Sequence, residues 1–269
     1  MRIARTIGAM LELREGLHRG FEVGLVPTMG ALHGGHIALL DAARSECDTV
    51  VASIFVNPAQ FGPGEDYDTY PSDETQDLRT AEEEGVDFLF IPTVKEMYPE
   101  GFQTWVEVEG LTQGLEGAAR PGHFRGVATA CLKLFNIVRP NRAYFGQKDA
   151  QQAAVIEQLV RDLDLGIEIR ILPTIRDDDG LALSSRNALL SPEERAAAAT
   201  LPRGLLAGQE AYARGKDPVA AAREILSSEP VLELEYVETA GFDGRLHLLA
   251  AARAGRIRLI DNILLEGDL

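Results

Sequence analysis

The chain of 269 residues is poor in the residue types that mark disulfide-rich, membrane and secreted proteins. Its two cysteines, Cys47 and Cys131, are far apart and lie in apolar helical contexts, which predicts core thiols rather than a disulfide framework or a zinc site. No apolar run approaches the roughly 18 residues of a membrane span. The first residues lack the apolar centre and cleavage site of a signal peptide, so we expect a cytoplasmic protein without a membrane partner.

Lysine is also scarce, with four lysines against 22 arginines. The basic residues total 26 and the acidic residues 42, giving a net charge of -16, and no basic stripe interrupts this balance. Such a chain repels polyphosphate at long range, which argues against a nucleic-acid partner. The 45% hydrophobic content is that of a globular protein with a core. An anionic ligand would therefore need positive groups gathered locally.

Strand and helix patterns alternate along the first part of the chain. Short apolar runs predict strands at 21–26, 49–56, 87–91, 143–145 and 167–172, and helical periodicity predicts helices at 36–47, from Ser72 to about 85, 125–138 and 150–163. The run at 49–56 is β-branched and continuous, as in a parallel strand buried on both faces. These units predict a Rossmann-like, doubly wound α/β sheet with ligands at the carboxyl ends of its strands.

The pattern changes after Pro173. A capping box at Ser191–Glu194 predicts a single Ala-rich helix to about Arg214, and Asp217 with Pro218 predicts the start of another. Strands are expected at 231–237 and 256–265. We therefore predict two domains, 1–174 and 175–269, the second a smaller C-terminal α+β lid domain.

The segment from Pro27 to His36 is the sharpest functional signal. Its glycines permit close backbone approach, the helix that follows offers unpaired N–H groups, and His33 and His36 can donate to phosphate oxygens. The turn therefore predicts an anion site. The H-x-x-H spacing also admits a metal, although no third ligand stands nearby, and a glycine-rich turn with incidental histidines is the remaining alternative.

Polar residues also follow the other predicted strands. Asn57 and Gln60 come after the second strand and can bind hydroxyl or carboxylate groups, although ordinary turn chemistry explains them equally. Lys148 and Asp149 open a helix at a strand end, where an ammonium group suits a phosphate, against the alternative of a surface ion pair. Two further segments, Arg120–Arg125 and Leu183–Asn187, concentrate arginine with histidine or serine.

Together these motifs resemble the pantothenate synthetase family, the pantoate:β-alanine ligases of the HIGH-signature nucleotidyltransferase superfamily. The family's blocks stand here in order as PTMGALHGGH, FVNPAQF, RPGHFRGV, FGQKDAQQ and LALSSRN, along essentially the whole chain. Gln147 and Ala150 depart from the acid and the aromatic residue that many members carry.

The resemblance implies ligation of pantoate and β-alanine with ATP and Mg²⁺, through a pantoyl adenylate. It implies catalytic roles for His33 and His36, and the electrostatics of phosphoryl chemistry suit Lys148 and Arg186 to the same task. Pantoate would contact Gln60, Gln152 and Asn57, and Mg²⁺ ligands are not assigned. The implied ATP-binding residues are Met29, Gly30, Ala31, Leu32, His33, Gly34, Gly35, His36, Gly146, Gln147, Lys148, Asp149, Ile175, Leu183, Ser184, Ser185 and Arg186.

Two other functions remain open at this level. A nucleotidyltransferase of the same superfamily would release the adenylated product, and a catalytically silent relative of the tRNA synthetases would bind RNA. The acidic charge argues against the second. The resemblance also suggests a homodimer.

Overall fold

The computed structural model describes residues 1–18 and 20–269. The strands of this part are β1 (Arg2–Ala4), β2 (Val23–Thr28), β3 (Thr49–Ile54), β4 (Phe88–Phe90), β5 (Arg142–Gly146), β6 (Glu168–Leu172), β7 (Leu232–Phe242), β8 (Arg245–Ala254) and β9 (Ile257–Glu266). The helices are α1 (Ile7–Glu15), α2 (Gly34–Glu46), α3 (Glu74–Glu83), α4 (Val94–Met97), α5 (Leu115–Ala119), α6 (His123–Val138), α7 (Ala150–Asp162), α8 (Pro192–Ala198), α9 (Thr200–Ala213) and α10 (Pro218–Leu226).

Contacts divide the chain into two units. The first comprises Met1–Phe145 with Gln152–Leu172, and the second comprises Gly146–Gln151 with Pro173–Leu269. The short segment Gly146–Gln151 thus groups with residues far along the chain, a grouping that no local pattern in the sequence indicates.

The first unit is built on a six-stranded sheet with the order β1-β4-β3-β2-β5-β6. β2 pairs in parallel with β3 on one side and with β5 on the other. The strand order therefore reverses between β2 and β5, and such a switch point is where open α/β sheets bind ligands. The predicted Rossmann-like architecture is confirmed.

Both faces of this sheet are buried, and neighbouring residues of one strand enter different cores. Leu25 and Val51 pack in the cluster that contains α6, whereas Val26, Val50 and Ala52 pack in the cluster that contains Leu39 and Leu40 of α2. This alternation explains the continuous apolar runs in β2 and β3, because each strand has helices on both sides. Cys47 and Cys131 are buried free thiols, as predicted.

The second unit contains a three-stranded antiparallel sheet in the order β7-β8-β9. Helices α9 and α8 contribute Leu201, Leu205 and Ala197 to a core shared with Val237 of β7 and Leu248 of β8. This arrangement confirms a small α+β C-terminal part.

Several boundaries differ from the predictions. The single helix predicted from Pro192 to Arg214 is wrong, since α8 ends at Ala198 and α9 begins at Thr200. Pro202 supplies the reason: its ring clashes with a helical carbonyl four residues earlier, yet it fits the first turn of a new helix. Helix α3 is capped by Asp73, not Ser72, since its carboxylate accepts from Gln76 N at 3.0 Å.

The sequence patterns also missed β1, α1 and the central strand β8. β8 reads RLHLLAAARA, and its interior is almost wholly buried. A central strand buried on both faces shows no alternation, and its alanines favour helix in isolation, so the pattern gives no strand signal.

A partly buried polar network contacts the loop that follows β3 in the first unit. Arg120 binds Glu65 through two hydrogen bonds, at 2.9 and 2.7 Å, and its Nη1 lies 3.2 Å from Nε2 of His123. Since arginine only donates, Nε2 must accept, which places the imidazole proton on Nδ1. Nδ1 then donates to the carbonyl oxygen of Gln60 at 2.8 Å.

The pKa values in this network follow from burial and charge. Burial and, secondarily, the charge of Arg120 lower the pKa of His123 to about 4, so its imidazole is neutral in the folded protein. Burial alone would raise the pKa of Glu65, but hydrogen bonds and charge from Arg120 outweigh burial and hold that pKa below its usual value.

The low pKa of His123 predicts a loss of stability under mildly acidic conditions. The unfolded imidazole has a pKa of about 6.5, so the folded state binds fewer protons and its stabilisation, complete above that pH, falls as the pH drops towards 4. Between about pH 7 and about pH 5 the loss from this group should be about 2 kcal/mol.

Urea unfolding at the two pH values measures this loss. In His123→Asn, the side-chain amide can still donate to Gln60 O but does not titrate, so the pH dependence should shrink by about 2 kcal/mol. An unchanged pH dependence in the variant would contradict the assignment of a neutral His123.

Candidate functional site

The turn after β2 has a strained backbone, and a buried hydroxyl binds its first residues. Thr28 Oγ1 donates to Ser53 O at 2.7 Å and accepts from Gly30 N at 3.2 Å. Gly30 has a φ of +89° and Ala31 a φ of +49°, both in the left-handed region. A Cβ on Gly30 would also lie 2.8 Å from Asp77 Oδ2, so both conformation and space require glycine there.

Asp77 on α3 holds this turn. Its carboxylate is 2% exposed and accepts from Ala31 N at 2.9 Å and from Leu32 N at 2.7 Å. One buried side chain thus satisfies two amides of this turn, and charge-assisted bonds of this kind are the stronger ones. Asp77 was not among the predicted site residues.

His33 and His36 cap helix α2 reciprocally. His33 Nδ1 accepts from Gly35 N at 3.1 Å, His36 Nδ1 accepts from His33 N at 3.3 Å, and the two ring centroids are 4.1 Å apart. Because each Nδ1 accepts, the neutral imidazoles carry their proton on Nε2. The caps therefore define each Nε2 as a donor, the polarity that a phosphate oxygen requires.

These contacts correct one part of the sequence prediction. The helix N-terminus does not offer a row of unpaired amides, because Asp77, the two imidazoles and neighbouring oxygens already accept from them. The amides so engaged belong to Gly30, Ala31, Leu32, His33, Gly35 and His36. Imidazole groups, rather than a backbone cradle, are the distinctive donors of this turn.

Gln60 lies beside the turn and is oriented by its neighbours. Gln60 Nε2 lies 3.0 Å from Met29 Sδ, and Gln60 Oε1 accepts from Asn57 Nδ2 at 3.0 Å. Helix α6 approaches closely here: a Cβ on Gly126 would lie 2.2 Å from Ala59 O. The structure therefore brings the predicted substrate residue Gln60 into contact with Met29 of the predicted nucleotide loop.

Asn57 is 2% exposed, and its side chain is engaged by the protein. Its Nδ2 also donates to Gly126 O at 3.1 Å, and its Oδ1 accepts from Ala59 N at 3.2 Å and from Tyr98 OH at 2.8 Å. Burial raises the pKa of Tyr98 to about 12, which keeps this hydroxyl a donor. These bonds indicate that Asn57 orients Gln60, and a direct substrate contact by Asn57 stays a prediction.

Two arginines near α6 contact other side chains of the first unit. Arg120 is paired with Glu65, and the guanidinium of Arg125 lies 5.0 Å from the ring centroid of Trp105. Neither of these contacts involves the histidines of the Gly30–His36 turn. Gln152, the other predicted pantoate residue, lies in the first turn of α7 and is partly exposed.

The second unit holds Lys148 on a 3-10 turn, Gln147–Asp149, that follows β5. Its side chain is 21% exposed, and Nζ lies 3.7 Å from Asp149 Oδ2. Asn262 on β9 donates to the carbonyl oxygens of Gln147 at 2.8 Å and of Lys148 at 3.0 Å. A buried side chain of the C-terminal sheet therefore supports the turn that carries the lysine.

A hairpin-like segment of the same unit contains the remaining predicted ATP residues. Leu183 N donates to Ile175 O at 2.9 Å, and Ser184 caps the 3-10 helix Ser185–Leu189 by accepting from Arg186 N at 3.3 Å. Thr174 N donates to Gln147 Oε1 at 3.4 Å, which joins this segment to the lysine turn. The predicted ATP-binding residues Gly146–Asp149, Ile175 and Leu183–Arg186 all lie in the second unit.

Arg176 anchors the same segment to β9. It donates to both carboxylate oxygens of Asp261, at 2.6 and 3.0 Å, and to Gly180 O at 2.9 Å. Burial raises the pKa of Asp261 despite the opposing effect of Arg176. Neither Asp261 nor Asn262 was predicted, since an Asp-Asn pair in the middle of a strand carries no motif.

Among the residues that the structure describes, no three His, Cys, Asp or Glu side chains are grouped so as to hold a metal ion. None of the helices in residues 1–18 and 20–269 combines the length and apolar character needed to cross a bilayer.

Comparison with known proteins identifies the family. A family model described as pantoate-beta-alanine ligase matches residues 2–264. The pantothenate synthetase of Chloroflexus aggregans is 55% identical over 259 residues, which cover 91% of this chain and 93% of that protein. A second relative, from Chloroflexus aurantiacus, is 51% identical over 284 aligned positions, which cover 100% of this chain and 99% of that protein.

Solved structures agree in fold. The crystal structure of pantothenate synthetase from Thermus thermophilus has a TM-score of 0.94 at 48% identity, covering 99% of this chain and 100% of that one. The pantoate-beta-alanine ligase of Francisella tularensis, solved in complex with beta-gamma ATP and beta-alanine, has a TM-score of 0.86 at 38% identity, covering 100% of this chain and 99% of that one. The chain therefore belongs to the pantoate-beta-alanine ligase family.

Proposed function

We propose that this chain uses ATP to join pantoate to β-alanine, through a pantoyl adenylate, and releases pyrophosphate and AMP. The observation that carries the proposal is the pair of capped imidazoles on the Gly30–His36 turn, whose Nδ1 atoms accept from backbone amides. That arrangement presents two Nε2 donors without adding permanent charge. The family membership supplies the substrates.

In the first step a carboxylate oxygen of pantoate attacks the α-phosphorus of ATP. The Pα–O bond to the β-phosphate breaks, and pyrophosphate leaves with the electron pair. Negative charge moves towards the leaving group, so donors that bind it more strongly in the transition state lower the barrier. We assign this role to His33, His36, Lys148 and Arg186.

In the second step the amine of β-alanine attacks the acyl carbon of the adenylate. The carbon–oxygen bond to the phosphate breaks, AMP leaves, and the nitrogen loses a proton as the amide forms. No nucleophilic Ser or Cys is needed, because the adenylate is the activated acyl group. Exclusion of water protects this mixed anhydride, and we assign a covering role to the smaller C-terminal unit.

Pantoate is assigned to Gln60 and Gln152. A second cation beside the attacking carboxylate would stabilise the ground state, whereas neutral amides orient it without trapping it. The contacts of Gln60 with Asn57 and Met29 support this assignment, since they leave the side chain few orientations.

Mg²⁺ is assigned to ATP itself. This cation prefers phosphate oxygens and water with one or two carboxylates, rather than an all-protein cage. Asp149, 3.7 Å from the Lys148 ammonium, is the carboxylate of the lysine turn and the residue we assign to help hold it. When bound, Mg²⁺ neutralises charge on the phosphates. A homodimer, which the family resemblance suggests, and a cytoplasmic location are part of the same proposal.

Pantoate-dependent exchange of labelled pyrophosphate into ATP tests the proposed function. Exchange should require pantoate and Mg²⁺ but not β-alanine, whereas AMP release should require β-alanine. Exchange without any β-alanine-dependent release of AMP would indicate a nucleotidyltransferase, whose end product is the adenylate. Absence of exchange with all components present would remove the ligase assignment.

Replacement of Lys148 by alanine should slow adenylate formation by about 100-fold or more, on the order of 3 kcal/mol in the barrier, because a transition-state donor is lost. The dissociation constant for ATP should change only modestly. Single-turnover measurement of adenylate separates the two quantities. Near-normal turnover of the variant would exclude Lys148 from the chemistry.

Replacement of Asp77 by asparagine should slow the same half-reaction by roughly tenfold or more, because an amide can accept from only one of the two amides that the carboxylate holds. The turn that carries the two imidazoles would no longer be held in one conformation. The rate of amide formation from supplied pantoyl adenylate should change less. Asp73→Asn is the matched control. It removes the same charge from the same helix but retains an equally good cap, so its activity should stay normal. Equal effects of the two variants would contradict a positioning role for Asp77.

A further inference from the structure

Asn262 is a buried polar side chain whose hydrogen bonds concentrate on the lysine turn. It is 1% exposed, on β9 of the second unit. Its Nδ2 donates to the carbonyl oxygens of both Gln147 and Lys148, and its Oδ1 lies 3.4 Å from Gln147 Nε2. Three of its contacts therefore reach two consecutive residues that are more than 100 positions away along the chain.

A neighbouring imidazole completes the hydrogen bonding of this amide. His247 on β8 is 3% exposed, and its Nδ1 lies 3.1 Å from Asn262 Oδ1. Burial lowers the pKa of His247, which favours the neutral ring. The two carbonyl oxygens can only accept, so Nδ2 must face them, and Oδ1 accepts from Gln147 Nε2 and from Nδ1–H of His247. All four hydrogen-bonding positions of the amide are therefore used, and a flipped amide would place Oδ1 against the two carbonyl oxygens.

The surroundings of Asn262 reinforce the same point. The carboxylate of the preceding residue, Asp261, is held by Arg176 and accepts from Asn262 N at 2.7 Å. Arg176 also donates to Asn262 O at 3.3 Å. Backbone and side chain of Asn262 are therefore both fixed, which makes it a rigid support rather than an adaptable contact.

We propose that Asn262 is a positioning residue for Lys148, acting through the carbonyl oxygens of Gln147 and Lys148. Holding these two carbonyls fixes the peptide planes on both sides of the Lys148 Cα, and hence the direction of its Cα–Cβ bond. A lysine side chain is long and flexible, so its ammonium group is placed only as well as its backbone. The proposal rests on the proposed function, in which Lys148 acts on the phosphates of ATP.

Packing of apolar side chains alone does not require an amide at this position of the sheet. Burying an amide instead requires partners for every donor and acceptor, and here the donors are used on one functional turn. Because these donors bind only the lysine turn, we infer positioning rather than simple core packing. Loss of the donors should therefore slow adenylate formation by more than a loss of stability alone would explain.

The test uses Asn262→Asp, which has the same shape and keeps the acceptor for His247 but replaces the donor by an oxygen facing two carbonyl oxygens. In single-turnover assays the rate of adenylate formation should fall about tenfold or more, with ATP affinity within about threefold of the original. Asp217→Ala is the matched control. It removes the N-cap of α10, whose carboxylate accepts from Val219 N and Ala220 N, so it lowers the melting temperature without touching the lysine turn.

A double-mutant cycle with Lys148→Ala separates positioning from general structural damage. If Asn262 acts through Lys148, adding Asn262→Asp to Lys148→Ala should change adenylate formation by less than about twofold. The proposal would be overturned if the double variant lost rate by the product of the two single-variant factors. A normal rate of adenylate formation in Asn262→Asp alone would overturn it too. If Asn262→Asp does not fold, Asn262→Ser, which keeps one donor, takes its place in the same cycle with the same criteria.

Failure of the proposed function gives a different result. In that case the unsubstituted protein shows no pantoate-dependent exchange. Failure of the positioning role leaves that exchange intact and gives either a normal rate for Asn262→Asp or independent effects of the two substitutions in the cycle.

Discussion

Burial of both faces of the parallel sheet is the constraint on which the rest of the first unit depends. Leu25 and Val26 enter opposite cores, so β2 cannot shift by one residue without exposing one core and crowding the other. The register of β2 with β3 and β5 is thereby fixed. The turn after β2 starts from a fixed position at the point where the strand order reverses.

Buried polar side chains then shape the turns that leave the sheets. Asp77 holds the turn of the two imidazoles, His123 holds the carbonyl of Gln60, and Asn262 holds the turn of Lys148. Each acts on the backbone of a functional segment instead of on a ligand. A buried donor or acceptor without a partner costs about 1–3 kcal/mol, so each of these groups strongly favours one backbone conformation.

The distribution of charge explains how a chain with a net charge of -16 can suit anionic substrates. Arg120, Arg176 and Arg195 are each paired with carboxylates, so much of the basic charge serves the fold. On the histidine turn, backbone amides set the tautomer of both imidazoles, and we propose these neutral groups as the phosphate donors. Neutral donors bind phosphate oxygens at close range and do not depend on the sign of the overall field.

The sequence by itself determined the α/β class, the doubly wound sheet and the motif residues from Met29 to Arg186, because apolar periodicity and glycine-rich turns are local properties. Tertiary structure alone decided the supports: Asp77 lies 45 residues or more from the amides it binds, and Asn262 lies 114 or more from the carbonyls it holds. It also revealed β8, whose burial on both faces erases the alternation of a strand. Long-range hydrogen bonds and burial depend on which elements meet in space, and no local pattern records that.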